Sequence, residues 1–137
     1  MDNLGAGDEM ANSIRKLYKT VLKARAAARK APPDVARTAK LFDEGRIKIA
    51  KKLVEEATEV SLECVADNRE AVINESVDML YNWVVALADM GIKPQEIWDE
   101  MTRREAMFGI AGKLPKSRVV STTPSGRGRR MASVSKH

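Results

Sequence analysis

An all-α helical bundle is the fold this sequence predicts. Three observations carry it. Apolar residues recur at three- and four-residue steps over long stretches, and no strand-period alternation with hairpin turns occurs. Breakers at Pro32-Pro33, Gly45, Asp67-Asn68, Gly91 with Pro94, and Gly109 cut the chain into helix-sized pieces. Hydrophobic residues fill 44% of the 137 positions but aromatic residues only 4%, so aliphatic side chains must make most of the core.

The elements follow in order. Residues 8–30 read as a helix, because Ala, Lys and Arg are strong helix formers and no breaker intervenes until Pro32-Pro33. Residues 34–44 form a short helix that ends near Gly45. Residues 46–66 form a long helix whose apolar stripe is Ala50, Leu53, Ala57, Val60 and Cys64. Asp67-Asn68 makes a turn and supplies an N-cap. Residues 69–90 form a second long helix, closed by Gly91. Pro94 suits a helix start, and residues 95–108 complete a third core helix. Three segments result: a basic N-terminal helix with its Pro-Pro linker (1–33), a helical domain (34–114), and a basic tail (115–137) expected to be disordered from its Ser, Thr, Gly, Pro and Arg content.

Met79 to Ala88 carries no charge and is apolar on nearly every side. Such a helix is buried all round. Three helices give it too little cover, so the bundle is expected to be completed by homo-oligomerisation, as a dimer or a higher form.

Composition also excludes. Cys64 is the sole cysteine, which rules out an intrachain disulfide and fits a reducing cytoplasm. The sole histidine is terminal, which argues against histidine-ligated zinc and histidine acid–base chemistry. The opening residues lack a signal pattern, and the longest uncharged apolar-rich run is too short to span a bilayer, so no membrane association is expected. The net charge of +5 is concentrated in the N-terminal helix and the tail. It permits nucleic-acid binding through the tail, but solvated surface charge is the favoured reading.

The chemistry lies in two acidic motifs, Glu55-Glu56-Ala57-Thr58-Glu59 and Glu75-Ser76-Val77-Asp78. Glu56 with Glu59, and Glu75 with Asp78, are each three residues apart, so each pair projects from one helix face. Two such helices side by side would converge four carboxylates. Gathered like charges are costly unless a cation compensates them. Their oxygen-only character points to Mg²⁺ or Mn²⁺. Lys52, Glu56, Glu59 and Glu63 form a polar stripe bordering the apolar one, which suggests a cleft between helices. On spacing alone a second reading stays open: two acidic faces with salt bridges to Lys48, Lys51 or Lys52. Asn74 and Asn82 could orient a ligand or be satisfied polar groups. Tyr81, Trp83 and Trp98 could stack on a base, but at helical spacing they read as core or interface, and Cys64 reads as an inert residue of the apolar stripe.

Several segments resemble the phosphoribosyl-ATP pyrophosphatase family. They are Thr38-Ala39-Lys40-Leu41, Gly45, the run from Lys48 to Glu59, Asp67-Asn68-Arg69-Glu70, Glu75 to Tyr81, Met90-Gly91-Ile92, and Glu100-Met101-Thr102-Arg103-Arg104. That family lies within the all-α, MazG-like nucleotide pyrophosphatases, which work as dimers or higher oligomers. The resemblance implies Mg²⁺-dependent hydrolysis of an α–β phosphoanhydride, converting phosphoribosyl-ATP to phosphoribosyl-AMP and pyrophosphate in histidine biosynthesis. It implies Glu56, Glu59, Glu75 and Asp78 as metal ligands. Glu55 is implied as a nearby acid that helps hold a water or a second ion; with no histidine at hand, Glu55 or another carboxylate is the expected proton acceptor in catalysis. Lys51, Lys52 and Arg104 become phosphate contacts, and Asn82 a possible substrate contact. The chain departs from the family pattern at Val54, at Asn82 and over residues 109–116. These departures admit a housecleaning nucleoside triphosphate pyrophosphatase as an alternative. A non-enzymatic helical module that binds nucleic acid or protein is a second alternative.

Overall fold

The structure is a computed structural model that describes residues 5–27 and 32–109. The described residues form five α-helices and no strand: α1 (Gly5–Ala26), α2 (Pro33–Glu44), α3 (Arg46–Val65), α4 (Arg69–Asp89) and α5 (Pro94–Phe108). The all-α expectation is met. The first helix ends earlier than the residue-30 boundary expected from propensity, and the proposed tail lies outside the described residues.

The breakers act as their chemistry dictates. Pro33 sits at the first position of α2, where its missing N–H costs nothing. Gly45 adopts φ 91° between α2 and α3, a left-handed conformation that a Cβ would strain. Asp67 has φ 55°, which a short polar side chain tolerates. Asn68 then caps α4, its Oδ1 accepting a hydrogen bond from the Ala71 N–H at 3.2 Å. At α5 the Lys93 N–H donates to Glu96 Oε2 at 2.7 Å.

The tight turn at Asp67-Asn68 forces α3 and α4 into an antiparallel hairpin, the most extensive helix pair among the described residues. Its open end is tied where Arg46 Nε meets Asp89 Oδ2 at 2.8 Å. α1 packs over the C-terminal half of α4, and α2 lies against α1 and α3. The core cluster joins Ile14 and Val21 of α1, Leu41 of α2, Ile49 of α3, and Val84, Val85 and Ala88 of α4. α1 is held by more than apolar contact. Arg25 Nη1 donates to the Ala88 carbonyl at 3.2 Å, and its guanidinium lies 4.9 Å from the centre of the Phe42 ring. α5 joins through Trp98, whose ring centre stands 6.3 Å from that of Trp83.

The inward face of α3 differs from the expected apolar stripe. Leu53, Ala57 and Val60 are half-buried, but Ala50 and Cys64 are exposed, while Ile49 and Glu56 are buried. The side facing α4 runs along the border between the apolar and acidic stripes. Helix phase is set by the partner helix, and here the partner draws acids inward with the aliphatics.

Candidate metal centre

The hairpin register builds the site. With Arg46 opposite Asp89, the same antiparallel pairing sets Glu56 opposite Asp78 and Glu59 opposite Glu75. Carboxylate oxygens of Glu56, Glu75 and Asp78 lie within 4.8 Å of one another. Glu59 stands beside this group of three, near enough for its charge to act on both Glu56 and Glu75. Glu56 is only 9% exposed.

Their electrostatics follow from crowding. Burial, followed by the Glu59 and Asp78 charges, pushes the Glu56 carboxyl above its ordinary value. Glu75 is pushed up first by its hydrogen bond to Glu59, then by desolvation and the neighbouring acids. A carboxyl–carboxyl hydrogen bond needs a shared proton, so the upward direction is the physical one. The donor set is entirely oxygen, and the acids resist being anionic together. Both properties fit a hard divalent cation, whose charge would reverse the upward push.

Glu55 stands apart from the cluster. Its Oε2 pairs with Lys52 Nζ at 3.0 Å. That hydrogen bond lowers the Glu55 carboxyl and raises the Lys52 ammonium. Lys51 is exposed, and its charge, like that of Lys48, reaches Glu55. Arg104 is engaged on its own helix, where Nε donates to Glu100 Oε1 at 2.8 Å. Asn82 is 2% exposed, and its Nδ2 donates to the Asp78 carbonyl at 2.9 Å. It therefore braces the backbone that carries an acid of the cluster.

Two cavities border this end of the hairpin. One, of about 350 Å³, is mainly apolar and lies between α1, α2 and α4, with Asp78 in its wall. The other, of about 250 Å³, is lined by cations of α2 and α3 and by Tyr81 and Asn82. Arg37 and Tyr81 line both. The Thr38 hydroxyl donates to the Asp34 carbonyl at 3.3 Å and is also hydrogen-bonded to the Tyr81 hydroxyl. Since Thr38 has one proton to give, Tyr81 donates in that second bond. Sequence reasoning did not connect Arg37 with the site and favoured a packing role for Tyr81. The available signal was the segment around Thr38 and Lys40, which carried part of the resemblance.

The phosphoribosyl-ATP pyrophosphohydrolase family matches residues 15–105. The chain belongs to this family. The family match begins within α1 and ends within α5, so it takes in the whole α3–α4 hairpin. A relative named phosphoribosyl-ATP pyrophosphatase 2, from Rhodopseudomonas palustris, is 54% identical over 110 residues, covering 80% of this chain and 81% of its own. Another of the same name, from Bradyrhizobium diazoefficiens, is 51% identical over 108 residues, covering 79% and 78%. A phosphoribosyl-ATP pyrophosphatase from Gluconobacter oxydans is 40% identical over 103 residues, covering 75% and 74%.

Among the described residues, no helix is long and apolar enough to cross a membrane.

Proposed function

We propose that this chain hydrolyses phosphoribosyl-ATP to phosphoribosyl-AMP and pyrophosphate, a step of histidine biosynthesis. The observation that carries the reading is the acid cluster, formed across the hairpin that the family match spans. Mg²⁺ is the ion assigned to Glu56, Glu59, Glu75 and Asp78, with Mn²⁺ as the alternative. When bound, such an ion neutralises phosphate charge and makes water a stronger nucleophile.

The chain's own residues supply the rest. Water adds to the α-phosphorus as the bond to the bridging oxygen breaks, and pyrophosphate leaves with the electron pair. Glu55 is assigned to take the proton from that water. The Lys52 ion pair keeps its carboxylate ionised and fixes its orientation. Lys51, Lys52 and Arg104 are assigned to the phosphates, Arg104 after exchanging its Glu100 partner. Asn82 holds the α4 backbone at Asp78 and lines the cation-lined cavity.

We also propose a homo-oligomer in a reducing cytoplasm. Val54, Ile73, Val77 and Leu80 stand open on the single chain, and apolar faces of this kind are ordinarily covered by a partner. Cys64 is an exposed free thiol, which suits a reducing compartment. Sedimentation at micromolar concentration is expected to give a dimer or larger species. A stable monomer would contradict the assembly.

The functional test is pyrophosphate release from phosphoribosyl-ATP and from a panel of ordinary nucleoside triphosphates, with and without Mg²⁺. Strong Mg²⁺-dependent preference for phosphoribosyl-ATP is expected. Equal turnover of ordinary triphosphates would move the function to nucleotide-pool control. No release from any substrate would leave the helices as a binding module.

A further inference from the structure

The substrate in the reading above carries two separate anionic arms. One is the triphosphate that is cut. The other is the phosphate monoester on the second ribose. An acid cluster with its cation can serve the first arm. It would repel the second, which needs protein cations of its own.

The cavity of about 250 Å³ has that chemistry. Arg37 and Lys40 of α2 and Lys48 and Lys52 of α3 line it, so two helices that diverge from Gly45 aim cations into one space. Tyr81 and Asn82 of α4 add polar groups to its wall. The space is smaller than the roughly 300–1,000 Å³ of pockets that enclose a whole ligand, and so suits one arm. Its position is also right. Lys52 links it to Glu55 and feels the Glu56 charge, and the Asn82 amide links it to the backbone of Asp78, so it adjoins the acids while its own wall is mainly cationic. Glu44 is the one acid in the wall, and Lys40 Nζ stands 3.8 Å from it. That exposed pair is weak and its lysine can turn to a phosphate.

We infer that this α2–α3 cavity is the subsite for the phosphate monoester of the N-linked ribose, with Arg37 and Lys40 as specificity-determining residues. The inference rests on the phosphoribosyl-ATP reading and adds the group that separates this substrate from an ordinary triphosphate. Arg37 also lines the apolar cavity beside Asp78, so the two spaces share this residue. Because both cations are exposed side chains on α2, their replacement should leave the fold intact.

The test uses the full chain and its Arg37→Gln and Lys40→Gln variants. Calorimetry compares phosphoribosyl-AMP with AMP, which lacks the monoester arm. Inhibition by pyrophosphate is measured alongside, with circular dichroism to check folding. The native protein is expected to bind phosphoribosyl-AMP more tightly than AMP. Each variant should lose about tenfold in phosphoribosyl-AMP affinity, as removal of one charge-assisted contact does, with AMP and pyrophosphate little changed. Parallel loss of pyrophosphate inhibition would show that the cavity grips the triphosphate arm, and would overturn the assignment. Unchanged phosphoribosyl-AMP affinity in both variants would overturn it too. Failure of the underlying reading looks different, because the native protein would then release no pyrophosphate from phosphoribosyl-ATP.

Discussion

The two halves of α4 obey opposite rules. Its C-terminal half is core: Val84 and Val85 are fully buried and Ala88 nearly so, under cover from α1, α2 and α3. Its N-terminal half carries Glu75 and Asp78, and Ile73 and Val77 stand open there, with Val77 63% exposed. One end of the helix holds the bundle together. The other gathers charges that would rather be apart. The difference teaches that the stability of this chain and its chemistry are laid out in series along one hairpin. Each can therefore be damaged with limited harm to the other.

The largest expected effect breaks the acid end. Glu56→Gln or Asp78→Asn should cut pyrophosphate release by about a hundredfold or more, since a ligand to a catalytic cation is worth several kcal/mol. The metal-free Glu56→Gln protein should meanwhile melt higher than the native chain at neutral pH, because a buried charge among like charges is removed. Scanning calorimetry beside a coupled pyrophosphate assay reads both. Loss of stability with loss of activity would make the acids scaffold. Glu55→Gln comes next, with a loss of about a hundredfold, the low end for a positioned general base. Its Mg²⁺-induced rise in melting temperature should survive, which separates a proton acceptor from a ligand.

The core end breaks differently. Val85→Ala should cost about 2 kcal/mol through lost burial and the cavity left behind, seen as a lower urea midpoint. Its KM for phosphoribosyl-ATP should stay close to native. A large KM change would mean that the two halves of the hairpin are coupled.

The pH dependence sharpens the comparison. Glu56 and Glu75 have folded-state values raised above the ordinary 4.5. A raised carboxyl contributes stability that is complete below its unfolded value and is lost as pH rises through the folded one. The metal-free protein should therefore lose melting temperature as pH climbs from about 4.5 toward neutrality, and saturating Mg²⁺ should restore it. Glu100 gives the opposite and smallest case. Hydrogen bonds from Arg103 and then Arg104 lower its carboxyl to about 2. Its contribution is present above the unfolded value and fades as pH falls from 4.5 toward 2. Since the group is exposed, Glu100→Gln should shift the melting temperature only slightly.

Much of this was legible in the sequence, for identifiable reasons. Helix boundaries were readable because Pro33, Gly45, Asn68 and Gly91 act locally. The meeting of Glu56 with Glu75 and Asp78, with Glu59 beside them, was readable because a tight turn leaves two helices little choice of register. Which face of α3 turns inward was not readable. Ala50 and Cys64 sit on a plausible apolar stripe, yet both are exposed, because phase depends on the partner helix. The cation-lined cavity was equally hidden. Arg37 and Lys40 lie well before Tyr81 and Asn82 in the chain, and only the packing of α2 on the hairpin brings them together. Tyr81 read as an ordinary aromatic, and its bond to Thr38 exists only across helices.

The most direct test is a Mg²⁺ titration of pyrophosphate release from phosphoribosyl-ATP, run with the native chain and with Asp78→Asn. The account predicts saturable activation of the native protein, no release without a divalent ion, and little release from Asp78→Asn at any Mg²⁺ concentration. Full activity of the native chain in chelator, or an Asp78→Asn variant that responds to Mg²⁺ as the native does, would contradict the assignment of the hairpin acids as the metal centre.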